Sequence, residues 1–145
     1  MRWNPTQRLA RGGLILALMA VSAVGSAAVP AGAVDAPAVL ATHADAQLGT
    51  FLTDAKGMTL YLFTKDVPGI SNCYDQCAVN WPPLLTDGSA TGPDLVAGGL
   101  GTTERKDGAL QVTYNGQPLY YWINDHKPGD TTGQNVGGVW FIVNP

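Results

Sequence analysis

The feature that most constrains the fold of this chain is an internal duplication. Residues 60–66 read LYLFTKD, and residues 119–125, which lie 59 positions later, read LYYWIND. The same offset relates three further pairs, which are Gly49 and Gly108, Gly57 and Gly116, and Trp81 and Trp140. A register that is kept from the first of these glycines to the tryptophan predicts two tandem structural repeats.

Turn signals divide each repeat into strands. In the second repeat, Asp107-Gly108 and Asn115-Gly116 separate β-rich runs, and both dipeptides favour the tight turns of β-hairpins. The first repeat carries a weaker turn, TDAKG, at residues 53–57. We therefore expect a β-meander in each repeat, over about residues 39–85 and 98–145.

The predicted fold is a single all-β domain at residues 47–145. Neither meander can bury its apolar residues alone, so we expect two repeats of about 59 residues and about eight strands to form a compact sandwich or barrel-like assembly. One short helix is predicted near the cysteines, with Ser71 or Asn72 as its N-cap. Residues 86–99 are rich in Gly, Ser, Thr and Pro, which predicts an exposed connector.

Residues 1–33 have the pattern of a secretory signal peptide. Three arginines precede an apolar run at 14–24, and small-residue cleavage signals follow, of which Ala31-Gly32-Ala33 is the best. The run is shorter than the roughly 20 residues that span a bilayer, and the mature chain shows no other candidate for a transmembrane segment. Residues 34–46 are predicted as a flexible start that turns into a strand near residues 39–43.

Charge and cysteine content narrow the compartment and the partners. No cysteine stands at the cleavage point, so we expect a secreted or extracytoplasmic protein without a lipid anchor. The formal net charge is -3, and the chain without residues 1–33 has five basic and eleven acidic side chains. An acidic surface repels phosphate backbones, so nucleic acid is not an expected partner.

Each copy of the repeated motif reads as a central strand. Alternate side chains of a strand share a face, so Tyr61 and Phe63 project together, as do Tyr120 and Trp122. The residues between them are apolar as well, which predicts a strand buried on both faces. Trp81 and Trp140 close the two repeats and are predicted to anchor the core.

An aspartate ends each copy of the motif at a turn. Asp66 and Asp125 are placed to accept the N–H groups of the turn or the hydroxyl of a buried tyrosine. This favours a structural role, because a scaffold element is copied together with its fold. One alternative is that the motifs converge on a ligand, and another is that the two carboxylates serve a hydrolase. The candidate site residues are Tyr61, Phe63, Asp66, Tyr120, Trp122 and Asp125.

Cys73 and Cys77 form a C-x3-C pair, for which a disulfide is the first expectation in a secreted chain. Positions four apart on a regular helix are about 5–6 Å apart at Cβ, which is more than the ≈ 3.5–4.5 Å of a disulfide. The turn is therefore distorted, or the thiols are not joined. The alternative is a copper or redox site in which His43 or His126 adds an imidazole.

These patterns together resemble a known family. The stretches GMTLYLFTKDVPGISNCYDQCAVNWPPLL and QVTYNGQPLYYWINDHKPGDTTGQNVGGVWFIV are similar to the bacterial secreted-repeat family, whose members are also described as predicted lipoproteins with a duplicated Tyr-x-(Phe/Trp/Tyr)-x-x-Asp motif. The resemblance covers roughly residues 47–145, and it implies duplication and export without implying a reaction.

The function predicted from the sequence is a non-catalytic extracytoplasmic module that binds an unknown small molecule or is associated with the cell envelope. No catalytic residue, metal site or cofactor is predicted. Copper or redox handling by Cys73 and Cys77 is the first alternative, and a hydrolase that uses Asp66 and Asp125 is the second.

Overall fold

The computed structural model of the chain describes residues 36–145, so the predicted signal peptide lies outside the described residues. This part of the chain is mostly strands, which confirms the all-β prediction, although it has nine strands where about eight were expected. The strands are β1 Ala38–Asp45, β2 Gly49–Asp54, β3 Tyr61–Phe63, β4 Leu85–Thr86, β5 Ala90–Thr91, β6 Leu100–Glu104, β7 Leu110–Tyr114, β8 Gln117–Pro118 and β9 Trp140–Ile142. The helices are α1 Gln76–Asn80, α2 Asp94–Ala97 and a 3-10 helix at Val136–Gly138.

Each repeat opens with an antiparallel hairpin. In the first, β1 pairs with β2 and Leu40 lies opposite Asp54. In the second, β6 pairs with β7 and Leu100 lies opposite Tyr114. The two hairpins occupy equivalent places in the two repeats, which confirms the duplication at the level of structure.

The repeats interlock through their later segments. Strand β3 of the first repeat pairs with β9 of the second, so that Tyr61 lies opposite Ile142. In the mirrored position, Tyr120 forms a bridge with Pro83 of the first repeat. This second contact stays a single bridge, since Pro82 and Pro83 have no N–H to continue a ladder. The closing segment of each repeat thus lies against the motif segment of the other, and none of the sheets closes on itself.

Two clusters of buried side chains lie on either side of the motif segments. Leu60 and Leu119 point into one of them, and Tyr61 and Tyr120 point into the other, and all four are fully buried. Both faces of the motif segments are thus covered, but only the first copy is a strand, β3, because the second copy makes only the isolated bridges of Tyr120. The aliphatic core comprises Ala38, Leu40, Leu52, Leu60, Leu84, Val96, Val112, Tyr114, Leu119 and Val143. The aromatic cluster comprises Phe51, Tyr61, Phe63, Cys73, Trp81, Tyr120, Trp140 and Ile142, with Trp122 packed against it.

Two segments are more ordered than the sequence indicates. The strand expected near residues 39–43 is β1, which extends further at both ends, pairs with β2 and β5 and buries Ala38 and Leu40. Residues 86–99 connect the two repeats and are mostly exposed, as expected, but they contain β5 and α2. Val96 of α2 is fully buried in the aliphatic core, which ties this segment down.

The predicted helix near the cysteines is present but shorter than expected. It begins at Gln76 and ends at Asn80, and Asp75 precedes it with a φ of 52°. The prediction of Ser71 or Asn72 as N-cap is therefore wrong. Instead, the Asn72 N–H donates to the carboxylate of Asp66, and Ser71 Oγ lies 2.6 Å from the hydroxyl of Tyr120.

Two glycine–glycine hydrogen bonds join the repeats in a reciprocal pattern, and in each of them the donor glycine follows a proline. Gly129 N–H donates to Gly57 C=O at 3.1 Å, and Gly69 N–H donates to Gly116 C=O at 2.8 Å. A Cβ on Gly57 would lie 2.9 Å from Cβ of Pro128, so only glycine fits there. The prolines are 60 positions apart, because the second repeat reads DHKPG where the first reads DVPG, so the constant register shifts by one residue at this turn.

Replacement of Gly57 by Ala is expected to destabilise the protein more than replacement of Gly49. Both glycines have positive φ, of +86° and +75°, so both substitutions carry the cost of about 1–2 kcal/mol for a side chain in that region. Only Gly57→Ala adds a clash with Pro128, for which overpacking costs about 1–3 kcal/mol. Urea denaturation of the two variants measures the difference, and equal free energies of unfolding would contradict the close glycine–proline contact.

Candidate functional site

The two copies of the motif meet at Tyr61 and Tyr120. The Tyr61 N–H donates to the Tyr120 carbonyl at 2.8 Å, and the Tyr120 N–H donates to the Tyr61 carbonyl at 2.9 Å. Two residues that exchange both hydrogen bonds form one antiparallel pair. The two motifs are therefore related by a local twofold axis that passes between these two residues.

Each tyrosine hydroxyl donates a hydrogen bond to the aspartate of the other repeat. Tyr61 Oη donates to Asp125 Oδ2 at 2.6 Å, and Tyr120 Oη donates to Asp66 Oδ2 at 2.7 Å. Such lengths are typical of a hydroxyl that donates to a charged carboxylate, which is among the stronger hydrogen bonds in proteins. Each tyrosine of one repeat is thus bound to the aspartate of the other.

The second oxygen of each carboxylate binds the turn that follows it. Asp66 Oδ1 accepts the Asn72 N–H at 2.7 Å. Asp125 Oδ1 accepts the N–H and the hydroxyl of Thr132, at 3.0 and 2.6 Å. Both aspartates are only 7% exposed. Because all four carboxylate oxygens already accept hydrogen bonds, this arrangement offers no support for the hydrolase alternative.

Burial dominates the acid–base properties of these pairs. It raises the pKa of Tyr61 well above its ordinary value, and the hydrogen bond and charge of Asp125 raise it further. Burial also raises the pKa of Tyr120, to which the bond with Asp66 adds. The pKa of Asp66 is likewise raised by burial, against the hydrogen bonds from Tyr120 and Asn72 that lower it. Both phenols therefore remain protonated at neutral pH and act as donors.

Four aromatic rings form a continuous stack across the repeat interface. Trp81 and Trp140 occupy its centre, with ring centroids 3.9 Å apart and planes 3° from parallel. Phe63 lies on the outer face of Trp140 at 4.2 Å, and Trp122 lies on the outer face of Trp81 at 4.0 Å. Each outer ring thus comes from one repeat and stacks on the tryptophan of the other.

The two motif tyrosines meet the stack edge-on. Tyr61 lies 5.4 Å from Trp81 at 78°, and Tyr120 lies 5.2 Å from Trp140 at 88°. These are the T-shaped contacts that aromatic pairs favour. Stacked rings and tyrosine–aspartate pairs therefore form one connected cluster, in which Trp122 is the only half-buried member of the motif while the other five motif residues are buried.

A buried arginine extends the network on the Asp66 side. Arg105 is 4% exposed, and its Nη1 donates to Ser71 Oγ at 2.8 Å while its Nη2 donates to the Cys73 carbonyl at 2.7 Å. Ser71 Oγ lies 2.6 Å from Tyr120 Oη. Because Tyr120 donates its proton to Asp66, Ser71 is the donor in this contact. The sequence analysis did not single out Arg105, since a lone arginine before an Asp-Gly turn is typical of an exposed hairpin.

Cys73 and Cys77 form a disulfide, which confirms that prediction. Their Cα atoms are 5.2 Å apart, within the usual range for a disulfide. The geometric objection is removed because Cys73 lies before α1, which begins only at Gln76, so the two cysteines do not share a regular helix. The bridge places Cys73, which has no exposed surface, in the aromatic cluster.

The copper alternative gains no support from the positions of the histidines. Both His43 and His126 are exposed, and the ring of His43 packs near Phe51 at 5.2 Å. Within residues 36–145, no group of three or more His, Cys, Asp or Glu side chains is arranged to hold a metal ion. Neither histidine therefore joins the two cysteines in such a group.

An open groove lies beside the start of β1, outside the aromatic cluster. Its volume is about 410 Å³. At the groove, Asp54 Oδ2 accepts the Tyr121 hydroxyl at 3.0 Å, and Asp54 Oδ1 accepts the N–H groups of Lys56 and Met58, each at 2.9 Å. Burial raises the pKa of Tyr121, and the charge of Asp54 raises it further. Lys56 and a set of apolar residues complete the lining, and the apolar residues are Ala36, Pro37, Ala38, Val39, Ala55, Leu84 and Leu85.

The sequence analysis did not select this groove. Asp54 belongs to the turn TDAKG and was considered only as part of that turn. The available signal was Tyr121, because the second motif carries a tyrosine where the first has Leu62. A polar group that appears in only one of two copies is not needed by the shared scaffold.

Comparison with known proteins identifies similarity to one family. The family described as a secreted repeat of unknown function matches residues 42–85 and 101–144, which together are more than half of the chain. No curated protein and no solved structure is significantly similar to the chain. In the described residues, no helix is both long enough and apolar enough to cross a bilayer.

Removal of one motif hydroxyl is expected to destabilise the fold. Tyr61→Phe leaves the buried carboxylate of Asp125 without one donor, at a cost of about 1–3 kcal/mol. In a double-mutant cycle with Asp125→Asn, the two losses should be less than additive, because both remove the same bond. Urea denaturation measures the cycle. Tyr74→Phe is the control, since the hydroxyl of this half-buried tyrosine accepts only the exposed Lys106 N–H. Additive losses would contradict a direct Tyr61–Asp125 bond.

The stability of the protein is expected to depend on pH through Asp66 with a definite sign. Its folded-state pKa is raised above the ordinary 3.8, so the folded state binds its proton more tightly than the unfolded chain does. The contribution of Asp66 to the free energy of unfolding should therefore fall as the pH rises from 3.8 through the folded-state pKa. Over this pH interval, the free energy of unfolding of the wild-type protein should fall relative to that of Asp66→Asn.

Asp45→Asn gives the opposite control. The N–H groups of Leu48 and Gln47 lower the pKa of Asp45 below 3.8, so its contribution is present above that pH and is lost as the pH falls. Denaturation curves for both variants across the acid range measure the two slopes. Slopes of the same sign would contradict the burial of an ionised Asp66.

Proposed function

The chain belongs to the family of secreted repeats of unknown function, and on that premise we propose that it acts outside the cytoplasm as a non-catalytic binding module. One observation carries the proposal. The polar atoms of the repeated motif are buried, whereas the hydrogen-bonded pair of Asp54 and Tyr121 is only half-buried and lines an open groove. The motif then serves as scaffold, and the groove serves as the binding site.

The scaffold role of the motif rests on its contacts. The hydrogen bonds of the polar motif side chains join the two repeats and fix the turns that follow the aspartates. These side chains are Tyr61, Tyr120, Asp66 and Asp125. A ligand would have to replace bonds that hold the two repeats together. Trp81 and Trp140 anchor the same interface by stacking on each other.

The binding role of the groove rests on its size and lining. A volume of about 410 Å³ lies within the range of small-molecule sites, which are mostly apolar with a few polar groups that orient the ligand. The walls here are alanine, proline, valine and leucine side chains together with Lys56, and Asp54 and Tyr121 form a hydrogen-bonded polar pair. The lining therefore suits a small ligand with an apolar body and one polar head.

The charge of Asp54 selects the head group. Lys56 contributes its backbone N–H to Asp54, and within residues 36–145 the one ion pair joins Lys127 and Asp130. Lys56 also lines the groove, but it forms no ion pair with Asp54, so the described residues provide no direct counter-ion for this carboxylate. Together with the formal net charge of -3, this favours a ligand whose head is an ammonium or another cation.

A matched set of aryl probes tests this proposal. Benzylammonium, benzyl alcohol and benzoate share one apolar body and differ in charge, so we expect affinity to fall in that order. Asp54→Asn should weaken benzylammonium binding roughly tenfold, which corresponds to about 1.4 kcal/mol, and leave benzyl alcohol binding nearly unchanged. Isothermal titration and amide chemical-shift mapping measure the affinities and locate the site.

Asp45→Asn is the control for this experiment. It removes the same charge from the same hairpin and from a carboxylate that also caps a turn, but outside the groove. Benzylammonium binding that is equal in both variants, or shifts that map away from β1 and Tyr121, would overturn the proposal.

A further inference from the structure

We propose that the aromatic cluster is a one-electron relay that passes an electron from buried Tyr61, through Trp81, to a radical oxidant at half-buried Trp122. Tryptophan and tyrosine are the aromatic side chains most readily oxidised by one electron. The cluster aligns them from the interior to the surface in van der Waals contact and gives the terminal tyrosine a proton acceptor. Ligand binding at the groove uses none of these features.

The path consists of two contacts. The Trp122 ring lies on the Trp81 ring with centroids 4.0 Å apart, and Tyr61 meets Trp81 edge-on at 5.4 Å. Rings at such distances are in direct contact, so an electron vacancy on Trp122 has a short route inward. Trp140 extends the same stack at 3.9 Å from Trp81, which allows the vacancy to spread over both central rings.

The reaction balances at Tyr61. A one-electron oxidant, such as an oxygen-centred radical, takes one electron from Trp122 and is itself reduced. The resulting tryptophan radical cation is refilled through Trp81 by an electron from Tyr61. As Tyr61 loses its electron, its hydroxyl proton moves along the existing hydrogen bond to Asp125 Oδ2, whose oxygen lies 2.6 Å from the phenol oxygen. The products are a neutral Tyr61 phenoxyl radical and a protonated Asp125.

The surroundings of the two tyrosines favour Tyr61 as the end of the path. Tyr61 Oη accepts the Gly133 N–H at 3.2 Å and is bonded to no cationic group. Tyr120 is bonded to Ser71, whose oxygen accepts a hydrogen bond from the Arg105 guanidinium at 2.8 Å. A nearby positive charge opposes the removal of an electron, so Tyr120 is the harder of the two to oxidise.

The two repeats differ at the outer ends of the ring stack, where an oxidant would have to reach it. Phe63 occupies the position that corresponds to Trp122, stacks on Trp140 in the same way, and is 9% exposed. Phenylalanine is far harder to oxidise than tryptophan. The stack is therefore closed at the Phe63 end and open to oxidants at the Trp122 end, and this difference is independent of the contacts that hold the scaffold.

Flash-quench oxidation tests the relay. Photogenerated tris(bipyridine)ruthenium(III) serves as the one-electron oxidant, and electron paramagnetic resonance with transient absorption distinguishes tyrosyl from tryptophan radicals. All variants carry Tyr74→Phe and Tyr121→Phe, which remove the two half-buried tyrosines outside the path. The parent should form a tyrosyl radical that Tyr61→Phe abolishes. In Asp125→Asn, which lacks the proton acceptor, the signal should remain on tryptophan.

Trp122→Phe is the decisive variant, since it installs the residue that the first repeat already carries at the equivalent stack position and so preserves the packing. It should slow tyrosyl radical formation severalfold while near-ultraviolet circular dichroism shows a folded core. The proposal is overturned if Trp122→Phe forms the radical at the parental rate, or if the tyrosyl signal survives Tyr61→Phe.

Discussion

The architecture depends on how two buried tyrosine hydroxyls find their acceptors. A phenol that is removed from water needs a hydrogen-bond partner, and here each partner is the aspartate of the opposite repeat, at 2.6 and 2.7 Å. The aspartates in turn fix the loops that follow them, and the backbone of the two tyrosines forms the pair at the centre of the interface. Turns, strands and aromatic stack are all positioned by this one reciprocal arrangement.

Around this shared centre the two copies differ in sequence, and both proposed sites lie at positions where they differ. Tyr121 replaces Leu62 and brings a polar group to the groove, and Trp122 replaces Phe63 and brings an oxidisable ring to the half-buried end of the stack. On the other side, Arg105 and Ser71 supply a cationic support to one tyrosine only. A duplicated scaffold thus tolerates different residues at positions that the reciprocal bonds do not use.

The sequence predicted the elements better than their arrangement. Turn dipeptides and alternation located the hairpins, and apolar residues on both faces of the motif predicted a buried strand. The offset of 59 shows that the halves are alike but not how they dock, since a tyrosine and an aspartate can pair within a repeat or between repeats. Arg105 and the groove depend on contacts between distant segments, Arg105 with Cys73 and Asp54 with Tyr121, and a local pattern does not show which distant segments meet.

The exchange of closing segments has a consequence for when the chain acquires its structure. Strand β3 has its ladder partner in β9, which ends three residues before the last residue of the chain. An emerging chain cannot complete the first repeat until nearly all of the second has followed, and such long-range pairings form slowly because a large loop must close first. A chain interrupted before β9 would therefore leave β3 without its ladder partner, so the two repeats acquire their final structure together.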